Sequence, residues 1–321
     1  MKKIVIIGPS KVGKTAIVSS LQQAVSTRSI AELDELEINV AASNEVTNQL
    51  FSSALRLIVD GFLPFAGTAS VIDYGFKISA TQPVSGLVEI IHSLFKINNT
   101  IEAEIEFPDA PGGALFEGDD EEVDHVLMKQ YRKRLIELIK ECDGLIICVD
   151  ISMINGRSDK NNRYRAALEF ARWIPNLLNE CLFGSKKMKL DLKRVCVVLT
   201  KSDLWAAQNG HTLDAESVVR TANAYDLTKE LLGPIFLQTL KSRFKADADI
   251  AFCMSSVYGF LDGAPNPTFG EQAKRRDRRS EPSIDVNLWK PFNAVEPFLF
   301  LLTGQNIQNQ FVIKKAKDLG R

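Results

Sequence analysis

The residues best suited to chemistry stand near the start of the chain: Gly8, Pro9, Ser10, Lys11, Val12, Gly13, Lys14 and Thr15, a G-x-x-x-x-G-K-T run. Glycine lets a chain turn tightly and leaves no Cβ in the way, so backbone N–H groups can wrap a phosphate closely. A helix opening at Lys14 would aim its positive end at the same anion. Lys14 can bridge β- and γ-phosphate oxygens, and the Thr15 hydroxyl can ligate magnesium. The whole run, Gly8 to Thr15, is expected to hold the phosphates of a nucleotide. That chemistry needs a strand before the loop and a helix after it, and KKIVII followed by KTAIVSSLQQAV supplies both patterns.

A second constellation, Thr200, Lys201, Ser202 and Asp203, ends the apolar run VCVVLT. There an α/β sheet presents its ligand-binding loops. An Asp203 carboxylate could accept hydrogen bonds from both N1–H and the 2-amino group of guanine; adenine offers no such pair. The aliphatic stem of Lys201 could lie along the base plane. A third element, Asp109-Ala-Pro-Gly112, follows IEAEIEF. Asp109 could hold magnesium through a water, and the Gly112 N–H could approach a γ-phosphate and so sense GTP against GDP.

Taken in order, the three elements resemble the G1, G3 and G4 motifs of P-loop GTPases, over residues 1 to about 260. The resemblance implies GTP/GDP and Mg2+ as cofactors, and Lys14, Thr68 and Gly112 as the catalytic set. It also implies Thr15, Thr68 and Asp109 around the metal, Thr68 being preferred to Thr47, Thr81 or Thr100 as the switch I threonine. Ser255 and Ser256, after the AFCM run, look like the G5 loop whose backbone would contact guanine O6. Within the TRAFAC class of GTPases, the long switch I insertion, TKSDLW and the late WKPFNAVEPFLFLL are similar to bacterial double-GTPase-type proteins. That likeness would place the chain beside other components of a bacterial signalling or conflict system. The sequence departs from the family at Gly113, where many small GTPases carry a water-orienting Gln. Slow turnover is therefore expected, stimulated by a partner protein, by homodimerisation or by a potassium ion. A non-hydrolysing GTP-binding module and a P-loop ATPase or kinase are the competing readings.

The elements that would position these residues alternate in period. Strand-like runs at 3–7, 70–78, 101–107, 144–150, 194–200 and 249–254 are interleaved with helical patterns at 14–23, 44–60, 122–141, 162–182, 215–244 and 295–302. LIICVD and VCVVLT are near-continuous apolar runs, as strands covered on both faces require. The predicted fold is therefore α/β: a three-layer P-loop G domain with a mainly parallel sheet, helices on both faces and an enlarged switch I region. Ser43 is expected to cap the second helix. The domain should span 1–262 with an insertion at about 25–100. A flexible basic loop at 263–291 and a C-terminal helical extension at 292–321, packed on the domain, should follow.

Composition excludes some alternatives. With 39 basic and 40 acidic side chains among 321 residues, no global field favours nucleic acid or an anionic membrane. The apolar start, Ile4 to Ile7, is too short for a signal sequence, and no run reaches the ~20 residues of a membrane span. A cytoplasmic location is expected, with five cysteines reduced in the core. The acidic run at 117–124 suits a helix N-terminus, and the basic run at 274–279 reads as a solvated loop. The three histidines show no metal-ligand spacing.

Overall fold

Ile4, Val5, Ile6 and Ile7 are apolar on both faces of the pleat, and all four are buried in strand β1 (Lys2–Ile7). The computed structural model describes residues 1–9, 12–27, 36–59, 72–81, 100–109, 125–155, 162–183, 188–266, 289–306 and 311–320. Among the described residues nine more strands follow: β2 (Glu37–Ala42), β3 (Ile72–Thr81), β4 (Thr100–Asp109), β5 (Gly144–Asp150), β6 (Arg194–Thr200), β7 (Asp249–Met254), β8 (Phe260–Leu261), β9 (Ala264–Pro265) and β10 (Val312–Lys315). Eight of them form one sheet in the order β10-β7-β6-β5-β1-β4-β3-β2, with β8 and β9 as a separate pair. The pairs β4-β1, β1-β5, β5-β6 and β6-β7 are parallel, whereas β2-β3, β3-β4 and β7-β10 are antiparallel. The parallel centre explains why every residue of β5 is buried.

Among the described residues there are eight α-helices: α1 (Lys14–Ser26), α2 (Glu45–Val59), α3 (His125–Glu141), α4 (Asn162–Leu182), α5 (Ser202–Gln208), α6 (Ala215–Thr221), α7 (Ala224–Arg243) and α8 (Glu296–Thr303). One face packs Ile4, Ile6, Phe76, Ile105, Cys148 and Val198 against α1, α2 and α8; the other packs Val5, Ile7, Ile147 and Val197 against α3, α4 and α7. This is a three-layer α/β architecture with a mostly parallel sheet, as the sequence suggests, and it is consistent with a P-loop GTPase fold. All five cysteines are free and buried. Among the described residues no helix is long and apolar enough to cross a membrane.

Phe298, Leu299, Phe300, Leu301 and Leu302 of α8 are each at most 3% exposed. Full burial of such side chains is worth about 1.5–3 kcal/mol apiece. The carboxyl end of α8 is closed by cations. Arg194 Nη1 donates to the carbonyls of Leu301 (3.0 Å) and Leu302 (3.1 Å), and Lys2 Nζ donates to Leu302 at 2.6 Å.

Several boundaries differ from the sequence reading. Asn44, not Ser43, caps α2: its Oδ1 accepts the Thr47 N–H at 2.9 Å. The pattern at 215–244 is two helices. Ala222 is extended, Asn223 caps the second helix, and Gly233 before Pro234 kinks it, since proline has no N–H for the ladder. Strands β2 and β10 went unpredicted, so the last described segment joins the sheet rather than extending a helix.

Candidate functional site

At the end of β1 the chain turns into a position where only glycine fits. A Cβ on Gly8 would stand 2.5 Å from the Cys148 carbonyl oxygen and 3.2 Å from a Val12 methyl. Gly13, with φ +96°, then sets the left-handed turn into α1, whose first turn carries no acidic side chain. The positive end of α1 is thereby left for an anion. Lys14 is buried, and its ammonium donates to the carbonyls of Gly8 at 3.0 Å and Pro9 at 2.8 Å. Its charge is held against the loop backbone, where phosphate oxygens would lie. Thr15 is half-buried in the same turn. Ser10 and Lys11 lie outside the described residues.

The second motif lies at the same edge of the sheet, two strands away. Buried Thr200 ties the two together: its Oγ1 lies 2.6 Å from the Val12 carbonyl and 3.1 Å from that of Val149. Thr200 and Val12, both expected among the nucleotide ligands, are thus engaged in holding the loop to the sheet. Lys201 takes a left-handed conformation (φ 58°), which turns the chain into α5. Its Nζ meets Asp150 Oδ2 at 2.5 Å. Asp203, half-buried in the first turn of α5, accepts from Ser256 Oγ at 2.7 Å through Oδ1. Burial raises the Asp203 carboxyl above its ordinary range. The Ser256 hydroxyl and the amides of Asp203 and Leu204 pull it back.

The loop after β7 corrects one expectation. The Ser255 amide donates to Leu199 O at 2.8 Å and the Ser256 amide to Phe292 O at 3.0 Å. Neither N–H is therefore available to a base oxygen. Ser256 acts instead through its hydroxyl, which orients Asp203 and accepts the Gly259 N–H at 2.9 Å. The next amide along the loop is that of Val257.

Asp150 escaped the sequence reading. It ends β5, is buried, and takes both the amide (3.0 Å) and the hydroxyl (2.6 Å) of Ser152 on Oδ1 while pairing with Lys201 on Oδ2. The available signal was a lone carboxylate closing the apolar run LIICVD.

Asp109, one of the residues expected around a metal, ends β4. With Val5 opposite Glu106 in the parallel register, Asp109 falls level with Gly8. Thr68 and Gly112 lie outside the described residues, as do the acidic run and the basic run. The alternative threonines are placed elsewhere: Thr47 Oγ1 accepts the Gly75 N–H at 2.9 Å, and Thr81 pairs with Thr100 at the far end of β4.

No protein-family model matches the chain, and no curated protein matches it in sequence. Among solved structures it is similar to an ADP-ribosylation-factor-like GTP-binding protein, a small COPII coat GTPase SAR1 from Encephalitozoon cuniculi in complex with GDP. That similarity has 11% identity and a TM-score of 0.32, over 90% of this chain and 77% of that one. It is also similar to the S. cerevisiae Ski7 GTPase-like domain bound to GTP, with 13% identity and a TM-score of 0.33. The match covers 87% of this chain but 51% of the Ski7 chain, about half its length. Similarities of this size assign neither activity nor ligand.

Proposed function

We propose that this chain is a magnesium-dependent guanine-nucleotide-binding protein that hydrolyses GTP slowly and works as a switch with a partner protein. The reading is carried by the Ser256–Asp203 hydrogen bond of 2.7 Å. It holds a carboxylate at the strand edge that also carries the phosphate loop, and such a carboxylate matches the two adjacent donors of guanine. Gly8, Gly13, Lys14 and the positive end of α1 supply the phosphate cradle. Thr15, Asp109 and Thr68 would hold Mg2+, which when bound neutralises charge on the β- and γ-phosphate oxygens. The O6 contact expected of Ser255 and Ser256 passes to the Val257 amide.

Gly113 in place of a glutamine supports slow intrinsic hydrolysis, raised by a partner, by dimerisation or by potassium. The TRAFAC and bacterial double-GTPase-type likeness belongs to this same proposal. Gly113 also favours a second reading, a GTP-binding module without turnover.

The deciding experiment compares GTP, XTP and ATP binding by the wild type and by Asp203→Asn. The wild type should prefer GTP to ATP by on the order of 10^4, and the variant should exchange GTP for XTP, whose C2 oxygen needs a donor. ATP bound as tightly as GTP refutes the guanine site. Single-turnover hydrolysis in sodium and then potassium, across protein concentrations, separates switch from module.

A further inference from the structure

The loop that carries Ser256 and Val257 is held mainly by residues far from it in sequence. Residues 289–293, just before α8, run alongside it. The Trp289 indole N–H donates to the Val257 carbonyl at 2.7 Å. Phe292 exchanges two backbone hydrogen bonds with Ser256, at 3.0 and 2.8 Å, and its carbonyl also accepts from Ser255 Oγ at 3.2 Å. Asn293 Nδ2 donates to Met254 O at 2.9 Å. Lys290 bridges Gly259, where a Cβ would collide with the Lys290 carbonyl. Every residue from Met254 to Val257 is gripped by this one segment.

The segment is itself anchored. Trp289 is 1% exposed, and its carbonyl accepts from Gln23 of α1 at 3.2 Å. The Phe292 ring lies under the Arg220 guanidinium of α6, 4.9 Å from its centroid, and edge-on to Phe260. Asn293 holds φ 48°, a backbone region in which asparagine is among the better-tolerated side chains. From there the chain enters α8, buried against the sheet.

We infer that residues 289–293 form a positioning strap for base recognition. The strap fixes Val257 where its amide meets guanine O6, and Trp289 and Asn293 are the residues that set this placement. The inference rests on the guanine site proposed above. Neither residue touches the nucleotide. Both act through the loop, so loosening them should weaken recognition of a base with an oxygen at C6 and spare one without it.

The test uses Asn293→Gly, which tolerates the left-handed backbone and removes the buried side chain with its amide donor, and Trp289→Phe, which keeps a ring and removes the indole N–H. Loss of one hydrogen bond to the loop should speed GDP release by about three- to tenfold. ADP, bound through its phosphates alone, should be unaffected, so the GDP-over-ADP ratio should fall by the same factor. Amide exchange of Ser256 and Val257 should quicken in parallel. An unchanged ratio in Asn293→Gly, or an equal loss for GDP and ADP, overturns the strap while leaving the guanine site intact. A wild type that does not prefer GDP overturns the guanine site and the strap with it. If Trp289→Phe lowers the melting temperature sharply, Asn293→Gly decides alone.

Discussion

The Lys201 ammonium lies 2.5 Å from the Asp150 carboxylate, and the other Asp150 oxygen is held by the amide and hydroxyl of Ser152. The lysine proposed to lie along a purine is thus fixed from β5, one strand away. Asp150→Asn keeps the shape and removes the charge, so GDP affinity should fall by about three- to tenfold. Fluorescence titration of GDP checks this. An affinity equal to the wild type would mean that the pair does not orient Lys201.

Asp203 links the proposed base site to pH. Burial raises its folded pKa above the unfolded value, so between the two values the native state holds more protons than the unfolded chain. Stability therefore falls as pH rises through that window, and the full penalty stands above it. Base binding runs the opposite way, because the carboxylate accepts both guanine donors and the acid does not. The melting temperature of the wild type without nucleotide should fall relative to that of Asp203→Asn as pH rises through the window. Thermal scans from acid to neutral pH decide the matter, and parallel curves would contradict it.

Gly8→Ala should be poorly tolerated. Its Cβ would meet a backbone carbonyl at 2.5 Å, an atom that cannot swing aside like a side-chain tip. Overpacking of this kind costs about 1–3 kcal/mol, and the loop should lose its nucleotide as it shifts. Denaturant unfolding should show a lower midpoint with an unchanged slope. Wild-type stability in this variant would mean that the loop relaxes freely.

Lys14→Ala removes the buried ammonium that donates to Gly8 and Pro9. In the proposed site this ammonium would serve phosphate oxygens, and losing two such charge-assisted hydrogen bonds should lower GTP affinity about 100-fold or more. Calorimetric titration with GTP and magnesium is the check, with circular dichroism confirming the fold. Turnover at the wild-type rate would remove the phosphate-loop assignment.

The strands of the sheet centre were legible because VCVVLT and LIICVD are buried on both sides and need no partner's help to be recognised. The proposed phosphate loop could be read because its pattern is local, eight consecutive residues running from the end of β1 into α1. What escaped was long-range. Asp150 finds its partner 51 residues on, and Trp289 finds Val257 32 residues back. β10 is four residues with two lysines and becomes a strand only because β7 offers it an open edge. Ser43 and Asn44 are both good caps, and only the geometry of β3 beside them chooses Asn44, whose side-chain amide also reaches the Asp73 carbonyl. The kink within α7 was written in Gly233 and Pro234, a pair that ends or bends any helical pattern, whereas the break between α6 and α7 falls at Ala222 and Asn223.

The late position of α8 shapes how this protein must be made. Every residue proposed to face the phosphates or the base is synthesised by Gly259, yet Phe298 to Leu302 seal the sheet beneath them. On the ribosome, the apolar face formed by Ile4, Ile146, Cys148 and Val198 must wait for that helix to emerge. During this interval the nascent chain displays the kind of surface that chaperones bind and aggregates grow from. This face of the sheet is therefore sealed only once α8 has emerged.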